Sequence, residues 1–280
     1  MSRTVSTFTK CGQGIVGLTI ILLVIAGCSP SSEKKPASKA QFVLKVSGSG
    51  TTTSVLNGVK PAFETATPGY RLDIMPGAGT GGGVKGVTEG LLNVAAMARP
   101  PKDTETAQGL EYLEIGQSGI AIFVHPSVSV NTLTSKQVVA ILTGKITNWA
   151  EVGGAKSNIA LYVRDEEDSS TKAVRSVLLG KTPFAKTART LTSQEEMQDS
   201  ILKTPNSVGM GAWASARAAG VNVKAVAVDG ISPDSPTYTM LAPIGIGYLA
   251  ARKADVQPLL DWLLSEPGKG ELKKFGVIIK

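Results

Sequence analysis

One pattern constrains this chain more than any other: from residue 42 onward, short apolar runs alternate with stretches whose apolar residues recur at helical spacing. Phe42-Val43-Leu44-Lys45-Val46 reads as a strand. Residues 52–64 read as a helix, with Val55, Leu56, Val59 and Phe63 on one face. Pro61 lacks the N–H that a helix interior needs, and is expected to kink the helix or end it early. Residues 71–75 follow as a predicted strand, 84–92 as a helix and 93–97 as a strand. This βαβαβ order predicts an α/β fold with a largely parallel sheet. Further on, strands predicted at 119–124, 159–163, 223–228 and 245–251 are interleaved with helices at 134–143, 170–179, 195–202 and 256–264. Thr134 or Ser135 opens the first of these helices. No repeat of fixed period runs through the chain.

With 280 residues and 42% hydrophobic content, the chain is long enough for one large core or two smaller ones, and too apolar for disorder. The single histidine, His125, excludes a multi-histidine zinc site and reads as an ordinary strand-end residue before Pro126. The two cysteines, Cys11 and Cys28, both lie near the N-terminus, so neither a disulfide framework nor a four-cysteine metal site can form. The formal net charge is +7, of which Arg3 and Lys10 contribute two. No run of five basic residues occurs and aromatic residues are scarce, so no nucleic-acid partner is expected. No metal and no cofactor are expected either.

The first 27 residues are set apart. Arg3 and Lys10 precede the apolar run IVGLTIILLVI over residues 15–25. That run is shorter than the roughly 20 residues of a typical membrane span, and positive, apolar and small residues follow one another as in a secretory signal. The run ends Ile25-Ala26-Gly27-Cys28, which resembles a bacterial lipobox. Cleavage before Cys28 and lipidation of its sulfur are therefore expected, the other reading being an ordinary cleavage site beside an incidental cysteine. Residues 28–40, rich in Ser, Pro, Lys and Ala, read as a flexible tether. The chain is thus expected outside the cytoplasm, periplasmic or on the outer surface, and held to the cell membrane by its lipid.

Four small-residue turns leave strands and open helices. They are Ser47-Gly48-Ser49-Gly50-Thr51-Thr52-Thr53, Gly77-Ala78-Gly79-Thr80-Gly81-Gly82-Gly83, Arg164-Asp165-Glu166-Glu167-Asp168-Ser169-Ser170-Thr171 and the weaker Ala96-Met97-Ala98-Arg99. Glycines let backbone approach a ligand, helix starts present free N–H groups, and hydroxyls add donors without charge. Together these suit a tetrahedral oxyanion. Each turn could equally be a plain cap at a strand–helix junction. Rival motifs fail on their own terms. Gly77-x-Gly79-x-x-Gly82 matches a dinucleotide fingerprint, but Arg99 stands where its acidic partner belongs. Val84 breaks the phosphate-loop pattern before Lys85, and no G-x-S-x-G occurs. Glu166 and Glu167 read as a solvated acidic turn.

With these residues in view, the chain resembles the phosphate-binding solute receptors of ABC transporters, from about Val46 to Ile279. The block Leu133-Thr134-x-x-Gln137, Thr143-Gly144-Lys145-Ile146-Thr147-Asn148-Trp149 and Glu151-Val152-Gly153-Gly154 is close to a family signature, and is expected to be a structural turn around a packed Trp149. Gly48-Ser49-Gly50-Thr51-Thr52 and Leu263-Leu264-Ser265-x-Pro267-Gly268 also match. The resemblance implies a two-lobed type II periplasmic binding protein-like α/β fold with the ligand cleft between lobes. Lobe 1 would be residues 41–122 with 240–280, and lobe 2 residues 123–239. It implies anion contacts from Thr51 and Thr52, from Thr80 with Gly81, and from Arg164 with the turn Asp168, Ser169, Ser170 and Thr171. That turn sits one residue later than in the family, with Ser170 in place of Gly. Ala98 stands where the family carries Ser or Asp, followed by the expected Arg99. A carboxylate in such a site can accept the proton of hydrogen phosphate and repel sulfate. Asp168 is expected either to be that acceptor or merely to cap its helix. The implied protein is a monomer that captures inorganic phosphate and delivers it to an ABC permease, with no chemistry done on the ligand. Another oxyanion, a sensory role, or an exported hydrolase with Ser or Lys chemistry are the alternatives.

Overall fold

The computed structural model describes residues 42–279. The signal over residues 1–27, the tether over 28–40 and the lipidation of Cys28 lie outside the described residues.

The predicted βαβαβ start is present as β1 (Phe42–Gly48), α1 (Gly50–Ala66), β2 (Tyr70–Ile74), α2 (Gly79–Thr88) and β3 (Val94–Met97). β1 lies between β2 and β3 and is parallel to both, with Leu44 opposite Leu72 and Val46 opposite Val94. The face of α1 read from spacing is the one it buries: Val55, Leu56, Val59 and Phe63 are fully covered. Pro61 neither ends nor breaks this helix, which runs on to Ala66. Its missing N–H would have met the carbonyl of Asn57, and both residues face solvent, where water can satisfy that oxygen. Phe63, stacked edge-on to Trp262 at 5.7 Å, holds the last turn in place. Burying such a ring contributes about 1.5–3 kcal/mol, comparable to the roughly 3 kcal/mol a helix-interior proline costs. α2 opens five residues before the predicted start because its glycines lie within its first turns. A Cβ on Gly83 would meet Ser47 O at 2.7 Å and Gly48 Cα at 2.8 Å, so only glycine lets α2 begin directly against the end of β1.

After the short α3 (Asp103–Thr106) the sheet changes character. β4 (Leu110–Val124) is 15 residues long, where only its apolar end was predicted. β5 (Thr132–Leu133), α4 (Ser135–Leu142), β6 (Ala160–Arg164), α5 (Ser169–Val174), β7 (Arg189–Leu191), α6 (Gln194–Lys203), β8 (Ser207–Ala212), α7 (Trp213–Ala218) and β9 (Lys224–Val228) follow. β10 (Leu241–Leu249), α8 (Lys253–Leu264), α9 (Glu266–Lys274) and β11 (Val277–Ile278) close the chain. The main sheet runs β2, β1, β3, β10, β4, β8, β6, β7. It is mixed rather than largely parallel: β10 is antiparallel to β3 and β4, and β8 is antiparallel to β4.

The two larger apolar cores among the described residues lie along the sheet. One draws on Leu44, Val46, Leu56, Phe63, Ile244 and Trp262 among others, from residues 44–115 and 244–277 with Ala214. The other draws on Ile120, Leu133, Trp149, Val163, Met210 and Met240 among others, from residues 120–242. β4 carries residues in both. We propose the two lobes at 41–122 with 240–280 and at 123–239 on this basis, with α7, which packs on α1, bridging them.

The signature block is a structural turn. Thr134 Oγ1 accepts the Gln137 N–H and Gln137 Oε1 accepts the Thr134 N–H, a reciprocal cap on α4. Asn148 caps the 3-10 turn Trp149–Val152. Trp149 is 1% exposed and its indole N–H donates to Asn206 O at 2.9 Å.

Candidate functional site

The small-residue turns converge. The ends of β1, β3 and β6 and the starts of α1, α2, α5 and α6 surround one cleft of about 940 Å³. Ser49, Gly50, Thr51, Thr80, Gly81 and Ala98 line it from one side, and Arg164, Asp168, Ser169 and Glu195 are among those lining it from the other. α1 and α2 both start here with no side-chain cap among the described residues: neither the Ser49 hydroxyl nor the Ala78 side chain accepts a hydrogen bond from its helix. Their first N–H groups, with no intrahelical partner, are therefore free for an acceptor in the cleft. Thr80 Oγ1 accepts the Ala98 N–H at 3.1 Å, which leaves its own proton to donate.

Of the sequence-predicted contacts, Thr51, Thr80, Gly81, Arg164, Asp168 and Ser169 line the cleft, whereas Thr52, Ser170 and Thr171 do not. Consecutive helical residues point about 100° apart, so a Thr-Thr or Ser-Ser-Thr run cannot all face one ligand. Thr52 is fully buried and its hydroxyl donates to Met97 O at 2.9 Å. Thr171 does the same for its own strand, donating to Arg164 O at 3.2 Å. Each ties a helix start to the strand end beneath it. Ser170 Oγ is buried without a hydrogen-bond partner among the described residues.

Arg164 is the most informative side chain. It is 9% exposed, and its Nη2 donates to Thr192 O at 3.1 Å and meets Asp168 Oδ2 at 3.1 Å. Its Nε and Nη1 have no partner among the described residues. Buried N–H groups left unpaired cost about 1–3 kcal/mol each, and more on a cation, so a ligand that accepts from them gains accordingly. Asp168 is the cap of α5. Its Oδ1 accepts the Ser170 N–H at 2.8 Å and the Thr171 N–H at 3.3 Å, while Oδ2 pairs with Arg164.

The other arginine is spoken for. Arg99 forms a two-pronged pair with Glu105, at 2.8 and 2.7 Å. The Arg99 hydrogen bonds pull the Glu105 carboxyl down to about 2, and the same bonds raise Arg99. His125, outside the cleft lining, is engaged within its own turn, where Nδ1 accepts the Ser127 N–H at 3.0 Å.

Lys102, Lys172, Thr192, Ser193, Gln194 and Glu195 also line the cleft and went unread in the sequence. Ser193 is visible there as a helix cap, and it does accept the Glu196 N–H at 3.0 Å. What brings α6 to the cleft is β8 beneath it: Gly209 lies against Met197 and Gly211 against Gln194, where any larger residue would push the helix away. The lining cations Arg99, Lys102, Arg164 and Lys172 are matched in number by Asp165, Glu167, Asp168 and Glu195. The cleft thus offers an anion directed donors rather than an excess of positive charge.

Known proteins place this architecture. A family model described as a PBP superfamily domain matches residues 31–266. Phosphate-binding protein PstS of Bacillus subtilis is 26% identical over 230 residues, covering 78% of this chain and 75% of that protein. Protein SphX of Synechococcus elongatus is 23% identical over 89% of this chain and 81% of its own. A protein from Clostridium perfringens, assigned as a phosphate ABC transporter substrate-binding protein and solved with bound phosphate, superposes with a TM-score of 0.73. It is 25% identical, covering 85% of this chain and 99% of its own. A phosphate transport receptor from Vibrio cholerae shares the fold at a TM-score of 0.60 and 23% identity, over 85% of this chain and all of its own. A mixed α/β sheet with helix starts gathered at one cleft, matched over most of its length by that family, makes this chain a member of the PBP (periplasmic binding protein) superfamily with the type II architecture.

Proposed function

We propose that this protein is a solute receptor that captures inorganic phosphate outside the cytoplasm and delivers it to an ABC permease. The observation that carries this reading is the Arg164 guanidinium, buried in the cleft with Nε and Nη1 unpartnered among the described residues and sharing that cleft with the uncapped starts of α1 and α2. A tetrahedral oxyanion has acceptors on all sides and suits donors that converge from several elements. The likeness to a Clostridium perfringens chain solved with bound phosphate supports the choice of ligand. Thr51, Thr80, Gly81, Arg164 and Ser169 are the contacts we assign from among the cleft-lining residues. Thr52, Ser170 and Thr171 serve through their main chain or through the scaffold. The ligand is bound and released unchanged, so no bond of it is broken. Lipidation of Cys28 would hold the receptor at the membrane as a monomer, and closure of the two lobes would present the loaded form to the permease.

Calorimetric titration of the full chain in detergent, stripped of carried-over ligand, tests this directly. One-to-one phosphate binding without sulfate binding is expected. Heat with another oxyanion and none with phosphate would keep the receptor and change its substrate. Identical small-angle scattering with and without phosphate would refute closure, and an unmodified Cys28 by mass spectrometry would refute the anchor.

A further inference from the structure

We propose that Glu195 is the side chain by which this cleft distinguishes a protonated oxyanion from a fully ionised one. The inference rests on the phosphate reading above and adds the residue that sets its selectivity. Four carboxylates line the cleft, and three are engaged. Asp168 takes two N–H groups and Arg164. Glu167 takes Lys172 Nζ at 2.7 Å, and Asp165 takes the Glu167 N–H at 2.9 Å. Glu195, the second residue of α6, is exposed and has no hydrogen bond or ion pair among the described residues. A Cβ built on Gly50 would lie 3.8 Å from Glu195 Oε1. The carboxylate therefore stands at the first residue of α1, a 17-residue helix whose start no side chain caps. The unpartnered Nε and Nη1 of Arg164, 9% exposed, line the same cleft.

An oxyanion seated at the start of α1 has Glu195 beside it. Hydrogen phosphate can turn its O–H toward the carboxylate and donate a charge-assisted hydrogen bond. Sulfate carries no proton at neutral pH, so the same approach leaves two negative charges in contact with nothing between them. Ala98, which has no acceptor side chain, cannot do this, and the oxygens of Asp168 are already occupied.

The test is an equilibrium titration of the full chain with inorganic phosphate and with sulfate, for the wild type, Glu195→Gln, Glu195→Asp and Asp168→Asn. Glu195→Gln is expected to lower the phosphate-to-sulfate affinity ratio by about tenfold or more, with sulfate bound more tightly, because removing the charge removes the repulsion. Glu195→Asp is expected to retain most of the selectivity. Thermal melts check that each variant folds, and Glu195 is a surface residue whose replacement should leave the melt unchanged. A ratio unchanged within about twofold in Glu195→Gln overturns the assignment. So does a loss of selectivity confined to Asp168→Asn, which would place the acceptor there. If the wild type binds neither anion, or both alike, the phosphate reading fails together with this one. If the wild type is selective and Glu195→Gln equally so, only the Glu195 assignment fails.

Discussion

Replacing Thr52 by Val separates what the family resemblance implies from what the geometry implies. The resemblance makes Thr52 a ligand contact. The geometry makes it a rivet: fully buried, outside the cleft lining, its hydroxyl donating to Met97 O at 2.9 Å across 45 residues of chain. Valine keeps the shape and removes only that bond. The net loss for a buried hydrogen bond is about 0.5–1.5 kcal/mol, rising to about 1–3 if the Met97 carbonyl is left unsatisfied. At about 2–4 °C per kcal/mol for a domain of this size, a loss of 1–2 kcal/mol lowers the melting temperature by about 2–8 °C. Phosphate affinity at 25 °C should stay within about threefold of the wild type, less than the tenfold that 1.4 kcal/mol would give. Thr51→Val is the control with the opposite signature: it lines the cleft, so its affinity should fall about tenfold, for a bond of about 1.4 kcal/mol, while the melt moves little. Scanning calorimetry paired with isothermal titration reads both quantities on the same samples. If Thr52→Val loses phosphate binding as Thr51→Val does, with an unchanged melt, the geometric reasoning is wrong.

Arg164→Met should weaken phosphate binding by about a hundredfold or more, since two charge-assisted bonds of about 1.5–3 kcal/mol each are lost. It should also destabilise the protein in urea, because the half-buried Asp168 carboxylate is left without its cation; unchanged affinity would remove Arg164 from the site. Gly83→Ala places a methyl against the backbone of Ser47 and Gly48, and overpacking of this kind costs about 1–3 kcal/mol. A lower urea midpoint and weaker phosphate binding are expected together, because the start of α2 must move. Glu105 is held at about 2 in the folded chain against an ordinary 4.5, chiefly by the Arg99 hydrogen bonds. A depressed folded value stabilises above the unfolded one and is lost as pH falls through the folded one. The stability gap between wild type and Glu105→Gln should therefore be full at pH 6 and shrink between about pH 4.5 and pH 2, and a gap independent of pH would refute the pairing.

Local features were legible in the sequence where one turn of chain sets them. The buried face of α1 follows from residues three and four apart. The Thr134–Gln137 cap, the Asn148 cap and the Asp168 cap follow from side chains two or three residues from the N–H groups they hold. Where a distant neighbour decides, spacing alone misled. Pro61 reads as a break, yet Trp262, 199 positions beyond Phe63 in sequence, holds the last turn of α1 through that ring. β8 is hard to read from spacing because its glycines, which favour strands poorly, serve to bring α6 close. The first half of β4 was missed because its polar and glycine residues are carried by pairing with β10, antiparallel and more than a hundred residues away.

The sequence by itself determined the class of this protein: an α/β chain with hydroxyl-bearing, glycine-rich helix starts suited to an oxyanion, since those properties depend on residue type and short spacing. Only the tertiary structure decided which of those hydroxyls line the cleft. Thr51 and Ser169 reach the cleft while Thr52 and Thr171 clamp helix to strand, because adjacent residues on a helix point in different directions and the strand behind takes the second. The tertiary structure also brought Glu195 to the start of α1 and paired Arg99 away with Glu105. The balance of charge in the cleft is a sum over elements far apart in the chain, and only folding brings its terms together.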